Sequence, residues 1–160
     1  MEDLSQKVCG KHLGGVAQLR LYDATKLLPL DYDPASESFE EVWFDDGGAP
    51  VEVAFVEGSG VWSERGVTGG VEHSVAFELQ GVRTEALEGL RKLSEGGLVA
   101  EIVDNEGAKF LVGYSLHAAA EYPLRLSSAE SSTGGRRGER PTTRIVLTSR
   151  DGWYAHRLKR

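Results

Sequence analysis

The residues able to do chemistry are few and far apart. Cys9 and His12 stand at the spacing of half a zinc site. A structural zinc needs four ligands, and no second Cys/His pair follows, so no metal site is expected. Asp45 and Asp46 are adjacent, and in an extended segment neighbouring side chains point to opposite sides rather than sharing a substrate. The acidic stretch from Asp31 to Pro50 lacks the alternating ligands, central glycine and terminal glutamate of a calcium loop, which leaves a solvated loop as the expectation. Gly66-Val67-Thr68-Gly69-Gly70 has neither the lysine nor the spacing of a phosphate-binding loop. No Gly-x-Ser-x-Gly stretch is present. His73 falls on the apolar side of an alternating segment, where a packing histidine is expected rather than a base. Only a cleft that gathered His73, His117 and a carboxylate would revive an enzyme reading. No catalytic residue and no cofactor is therefore expected.

The side chains that remain are suited to contact. Arg136, Arg137 and Arg140 form a basic cluster in an acidic chain, and read either as a solvated loop or as an arm that orders against an acidic neighbour. Phe39, Val42, Trp43 and Phe44 are unusually apolar for a loop, so part of that region packs on a short strand of its own subunit or on another copy. Trp153 and Tyr154 are either interface anchors or core residues.

The elements that position these residues follow from periodicity. Val71, His73, Val75, Phe77 and Leu79 alternate with polar neighbours, the period of a half-buried strand. Leu87, Leu90 and Leu93 then recur as one helical stripe over 84–95, with Thr84 placed to cap its start and Gly96-Gly97 to stop it. Val16–Tyr22, Val51–Val56, Tyr122–Leu126 and Thr143–Thr148 read as further strands, and Val61–Glu64 as a continuation or short return. Two strands, 98–103 and 109–114, flank Asp104-Asn105-Glu106-Gly107, a hairpin with a type I turn and a glycine bulge. Residues 1–15 read as an N-terminal arm, 31–50 and 127–141 as long loops, and 153–160 as an amphipathic tail. The expected class is α+β: a mostly antiparallel β-sandwich or barrel-like sheet with one flanking helix, in a single domain spanning 1–160.

The formal charge of −7 argues against general nucleic-acid affinity, because phosphate binding needs clustered Lys and Arg. One cysteine excludes an internal disulfide. The acidic start, Met1-Glu2-Asp3-Leu4-Ser5, with no long apolar run after it, predicts no signal peptide, no membrane span and folding in the cytosol.

The layout resembles a family. Cys9-Gly10-Lys11 and Gly14-Gly15 precede the first strand, and Glu64 with Gly69-Gly70 stands ahead of Glu72–Leu79. The 84–94 helix follows, then Asp104-Asn105-Glu106-Gly107 before Leu111-Val112-Gly113-Tyr114, and Thr133-Gly134-Gly135 ahead of the closing strand. This is similar to structural proteins of tailed phages and prophages of Bacteroidetes-like bacteria, and more distantly to tail-tube proteins. The resemblance implies a non-enzymatic virion protein that self-assembles into rings, usually hexameric, stacked as a tube. Other tail proteins would be partners, and DNA would pass only as non-specific cargo of an acidic lumen. Another tail or head-tail component, such as a tail terminator, fits the same layout. A small bacterial ligand- or partner-binding β domain is the alternative outside that family. An apolar pocket between sheet and helix, with a few inward polar groups, would mark it.

Overall fold

The computed structural model describes residues 15–45, 50–81, 84–116, 118–132, 141–152 and 154–159. In chain order these form β1 (Val16–Asp23), β2 (Tyr32–Asp33), β3 (Ser38–Phe39), β4 (Val51–Glu52), β5 (Val61–Val67), β6 (Gly70–Gln80), α1 (Thr84–Glu95), β7 (Leu98–Asp104), β8 (Lys109–Val112), β9 (Arg125–Ser132), β10 (Thr142–Asp151) and β11 (His156–Leu158). Two sheets result. One is ordered β2-β3-β11-β8-β7-β1-β4, the other β5-β6-β10-β9. Every pairing is antiparallel except β11 with β3. The class is α+β as expected, in its sandwich form: both sheets are open, and no barrel closes among the described residues.

The apolar phases of both sheets meet between them. Leu19 and Leu21 of β1, Leu98, Ala100 and Ile102 of β7, Val75 and Phe77 of β6, and Ile145 and Leu147 of β10 are all buried in one cluster. Each large side chain taken from water here is worth about 1.5–3 kcal/mol. The Leu87-Leu90-Leu93 stripe of α1 packs onto the same cluster. Gly97, at φ +88°, ends the helix in the left-handed region, and Pro123 packs where a side chain would project. The 98–112 hairpin closes as expected. Gly107 takes φ +88°, and Asp104 Oδ1 accepts the Glu106 and Ala108 N–H groups, each at 2.9 Å.

β7 is buried on both faces because a second cluster covers the outer side of its sheet. Tyr22, Phe39, Val99, Leu111, Tyr114 and Leu158 form it, with Leu27, Leu30 and Val42 packed against them. Buried among these elements is one carboxylate, Glu101, 3 % exposed. It accepts a hydrogen bond from Tyr22 Oη at 3.2 Å and lies 3.6 Å from the Arg20 guanidinium.

Several segments depart from the sequence reading. The 31–50 stretch is no simple loop: β2 and β3 form a hairpin within it, and Phe39 and Val42 join the second cluster. Of 127–141, residues up to Ser132 are strand β9 rather than loop. Its serines cannot form a core, but an edge strand needs only backbone bonds on one side, and β10 supplies them. The strand expected at Tyr122 starts at Arg125, because Leu124 bridges instead to Leu98 of the other sheet. The strand expected over 51–56 ends at Glu52: Val53 N still bonds to Leu19 O, but the chain then crosses between sheets, leaving Val51 exposed. The tail is a strand too, since β11 inserts between β3 and β8.

That insertion brings Lys159 to two carboxylates at the surface. Lys159 Nζ donates to Asp33 Oδ2 at 2.6 Å and to Glu40 Oε1 at 3.1 Å. The lysine bond, followed by those from Ala35 N–H and the Ser36 hydroxyl, pulls the Asp33 carboxyl down to about 2 from an ordinary 3.8. A carboxyl lowered on folding stabilises the native state above its ordinary value, and that contribution is lost as pH falls through about 2. Lys159→Met should return the Asp33 titration toward 3.8, read from its carboxyl carbon by NMR. An unchanged midpoint would show that the lysine is not its main partner.

Candidate functional site

The residues marked for contact occupy separate places. Arg136, Arg137, Arg140 and Trp153 lie outside the described residues, as do Cys9, His12 and His117. Trp43 and Phe44 are 56 % and 40 % exposed. Phe44 bridges to Leu27, and Leu28 N bonds to Trp43 O at 3.0 Å, so Leu28, Trp43 and Phe44 make one apolar patch over the second cluster. Phe44 reaches Tyr22 beneath it, the rings 6.2 Å apart. Tyr154, 56 % exposed, is apart from these and lays its hydroxyl against Gly66 of β5.

The sheets end in β2 and β4, and in β5 and β9. β9 is the longest of these edges, and Ser127, Ser128, Ala129, Glu130 and Ser131 on it are all exposed. It carries no proline and no lysine, two residues that commonly protect a sheet edge from a second strand. Glu130 stands opposite Arg144, which stands opposite Glu78, giving an alternating charge ladder across the outer face.

A polar row also lies inside the sandwich, at the end where the chain crosses from β10 to β11. Register places Glu64 of β5 opposite His73 of β6, and His73 opposite Ser149 of β10. All three share the phase of the core residues on their strands. His73 is 3 % exposed, its Nδ1 is 3.4 Å from Glu64 Oε2, and Glu64 also accepts the Ala155 N–H at 3.0 Å. Ser149 Oγ is buried and makes no hydrogen bond to a described residue. On the outer face a second row runs parallel, Arg65, Glu72 and Arg150, with Arg65 and Glu72 paired at 2.6 Å.

The two rows meet at a cleft of about 580 Å³, between β10 and the segment leading into β9. His73 and Ser149 border it, and Tyr122, Arg125 and Arg150 stand around it. The carboxylate, imidazole and hydroxyl are those of an activated nucleophile. That chemistry requires the base to hold the hydroxyl proton, and Ser149 lacks that bond. His73 and Ser149 are therefore not joined as a hydrogen-bonded relay in this structure. Among the described residues no three or more His, Cys, Asp and Glu are grouped to hold a metal.

Treating His73 as a packing residue was correct for its burial and missed its neighbours. The signal was in the phase. Glu64 falls on the side of Trp62, and Ser149 on that of Ile145 and Leu147, so each places a polar group on a phase that also carries core residues.

An apolar cavity of about 350 Å³ lies beneath α1, lined by Leu21, Val53, Phe77, Leu90, Leu93 and Ile145. Its titratable lining residue is Glu52, which faces solvent and pairs with Arg20 at 3.0 Å. Among the described residues the pocket has no convergent polar groups of the kind that orient a ligand.

Comparison of the chain with protein-family models, with curated proteins and with solved structures finds no match.

Proposed function

We propose that this chain is a non-enzymatic structural subunit that assembles with copies of itself, in rings that stack as a phage tail tube. The observation that carries the assembly is the exposed edge of β9, eight residues long and without protecting proline or lysine. A second copy's strand can add there by backbone hydrogen bonds, which place few demands on the side chains. The Leu28-Trp43-Phe44 patch supplies apolar area of the kind that anchors an interface. The choice of a tail tube rests on the sequence layout, and the net charge of −7 suits a lumen through which DNA slides.

Native mass spectrometry and negative-stain microscopy at tens of micromolar test this. Rings or tubes are expected for the wild-type chain. Ala129→Lys, which sets a charge on the inward phase of the edge strand, should lower the order of assembly and leave the fold intact. A wild-type chain that stays monomeric at high concentration would end the proposal.

A second reading, a small ligand-binding domain, is favoured by the cleft of about 580 Å³ beside β10.

A further inference from the structure

We infer that the outer face of the β5-β6-β10-β9 sheet docks against the same face of a second copy, through two rows of alternating charge. This rests on the self-assembly reading and adds to the β9 edge a contact made face to face.

Register puts both rows on one surface. Arg65, Glu72 and Arg150 cross one end of the sheet, on β5, β6 and β10. Glu78, Arg144 and Glu130 cross the other end, on β6, β10 and β9. Glu72 and Glu78 are six residues apart on one strand, which separates the rows by about 20 Å. The first row reads plus, minus, plus. The second reads minus, plus, minus and is displaced by one strand toward β9.

That displacement makes the pattern complementary to itself. Consider a two-fold axis in the plane of the sheet between the rows, tilted so that each row meets the other one strand along. Arg65 then lies over Glu78, Glu72 over Arg144 and Arg150 over Glu130. Symmetry repeats the same three pairs on the other side, as an isologous contact requires. Without the displacement Glu72 would meet Glu78 and Arg150 would meet Arg144, so the charges also select the register.

Between the rows stand Ser63, Ser74, Ala76, Ser128, Val146 and Thr148, none larger than valine. A second sheet can therefore approach to about the 10 Å of packed sheets, a gap that an arginine and a glutamate bridge together. Within one copy the charges are only partly used. Arg65 and Glu72 pair at 2.6 Å, but Glu78, Arg144 and Glu130 make no ion pair among the described residues. Arg150 donates to the Thr68 carbonyl, and at the rim Arg125 is turned to the Ser94 and Glu95 carbonyls. Three arginines offset three glutamates across the rows, so they are neutral together in a chain of formal charge −7. Four strands and this row spacing give a patch of about 300 Å², below the roughly 800 Å² that each partner of a stable pair buries. The contact alone is weak, concentration-dependent and sensitive to salt.

Sedimentation equilibrium of the full chain tests it, in the Ala129→Lys background that silences the β9 edge. A monomer–dimer equilibrium is expected at about 0.05 M salt, shifting to monomer at about 1 M, where the screening length falls to about 3 Å. Arg144→Glu in that background sets a like charge against Glu72 and should weaken dimerisation roughly tenfold. Glu72→Arg, which sets one against Arg144, should do the same. Mixing these two variants should restore the dimer as a heterodimer, because each supplies the charge that the other lacks. The mixing result reads the same without Ala129→Lys, should that chain not fold. Three results would overturn the contact: a strictly monomeric Ala129→Lys chain at about 1 mM and low salt, single variants that dimerise as before, or a mixture no tighter than its components. Any of these leaves wild-type rings free to form through β9. A dimer that persists in Ala129→Lys while the wild type forms no rings would keep this contact and end the tail-tube reading.

Discussion

Phe77→Ala is expected to lower the free energy of unfolding by about 3–5 kcal/mol, the range for removing a fully buried aromatic ring. Phe77 is 2 % exposed, stands opposite Ile145 in the register of β6 and β10, and faces β1 across the sandwich. It also lines the apolar cavity beneath α1, so the lost ring would enlarge a space already present rather than open a new one. The cost depends on how far α1 can settle inward. Leu87, on the same cluster but partly exposed on the helix, should cost about 1–2 kcal/mol when cut to alanine, because less area leaves water. Urea unfolding followed by circular dichroism measures both. A loss below about 1 kcal/mol for Phe77→Ala would mean that α1 collapses freely into the gap and is not held by its leucine stripe.

The second large effect concerns Tyr22 and Glu101. Tyr22→Phe removes the hydroxyl that donates to Glu101 Oε2 at 3.2 Å and leaves the buried carboxylate, among the described residues, only Arg20 at 3.6 Å. A charged acceptor deprived of its donor costs about 1–3 kcal/mol. The double variant Tyr22→Phe/Glu101→Leu should recover much of that, since no buried charge then remains to be satisfied. The same pair sets an alkaline limit. Burial first, then the Glu101 charge and the hydrogen bond to it, raise the Tyr22 hydroxyl from 10.0 to about 12. A group raised on folding stabilises the native state below its unfolded value and loses that contribution as pH climbs through the folded one. Stability should therefore fall between pH 10 and 12 by roughly 1–2 kcal/mol more in the wild type than in Tyr22→Phe, allowing for screening near the sheet margin. Urea midpoints across that window, with phenolate absorbance to follow the titration, test it. Parallel slopes for the two chains would refute the assignment.

Both predictions use contacts that differ in how far they could be read from the chain. Phe77 was on the inward phase of an alternating run, and its burial follows from that phase alone. Glu101 sits in Leu98-Val99-Ala100-Glu101-Ile102-Val103, where alternation makes it the outward residue of a half-exposed strand. It is buried because Tyr22, Phe39 and the segment from Leu27 to Phe44 cover that face, and nothing near position 101 encodes the cover.

Consecutive residues encode the long strand β6, the helix with its leucine stripe and its left-handed stop at Gly97, and the Asp104–Gly107 hairpin. Each follows from a period or a turn whose physics closes within a few residues. The remaining elements depend on contacts between distant segments. β9 is a strand because β10 lies beside it, although its composition is that of a loop. β11 enters the sheet because β3 and β8 leave a place between them. Glu64, His73 and Ser149 form a row only once β5, β6 and β10 are in register. Pairing between distant strands depends on which edges and faces remain open after the local elements form, and no local period carries that information.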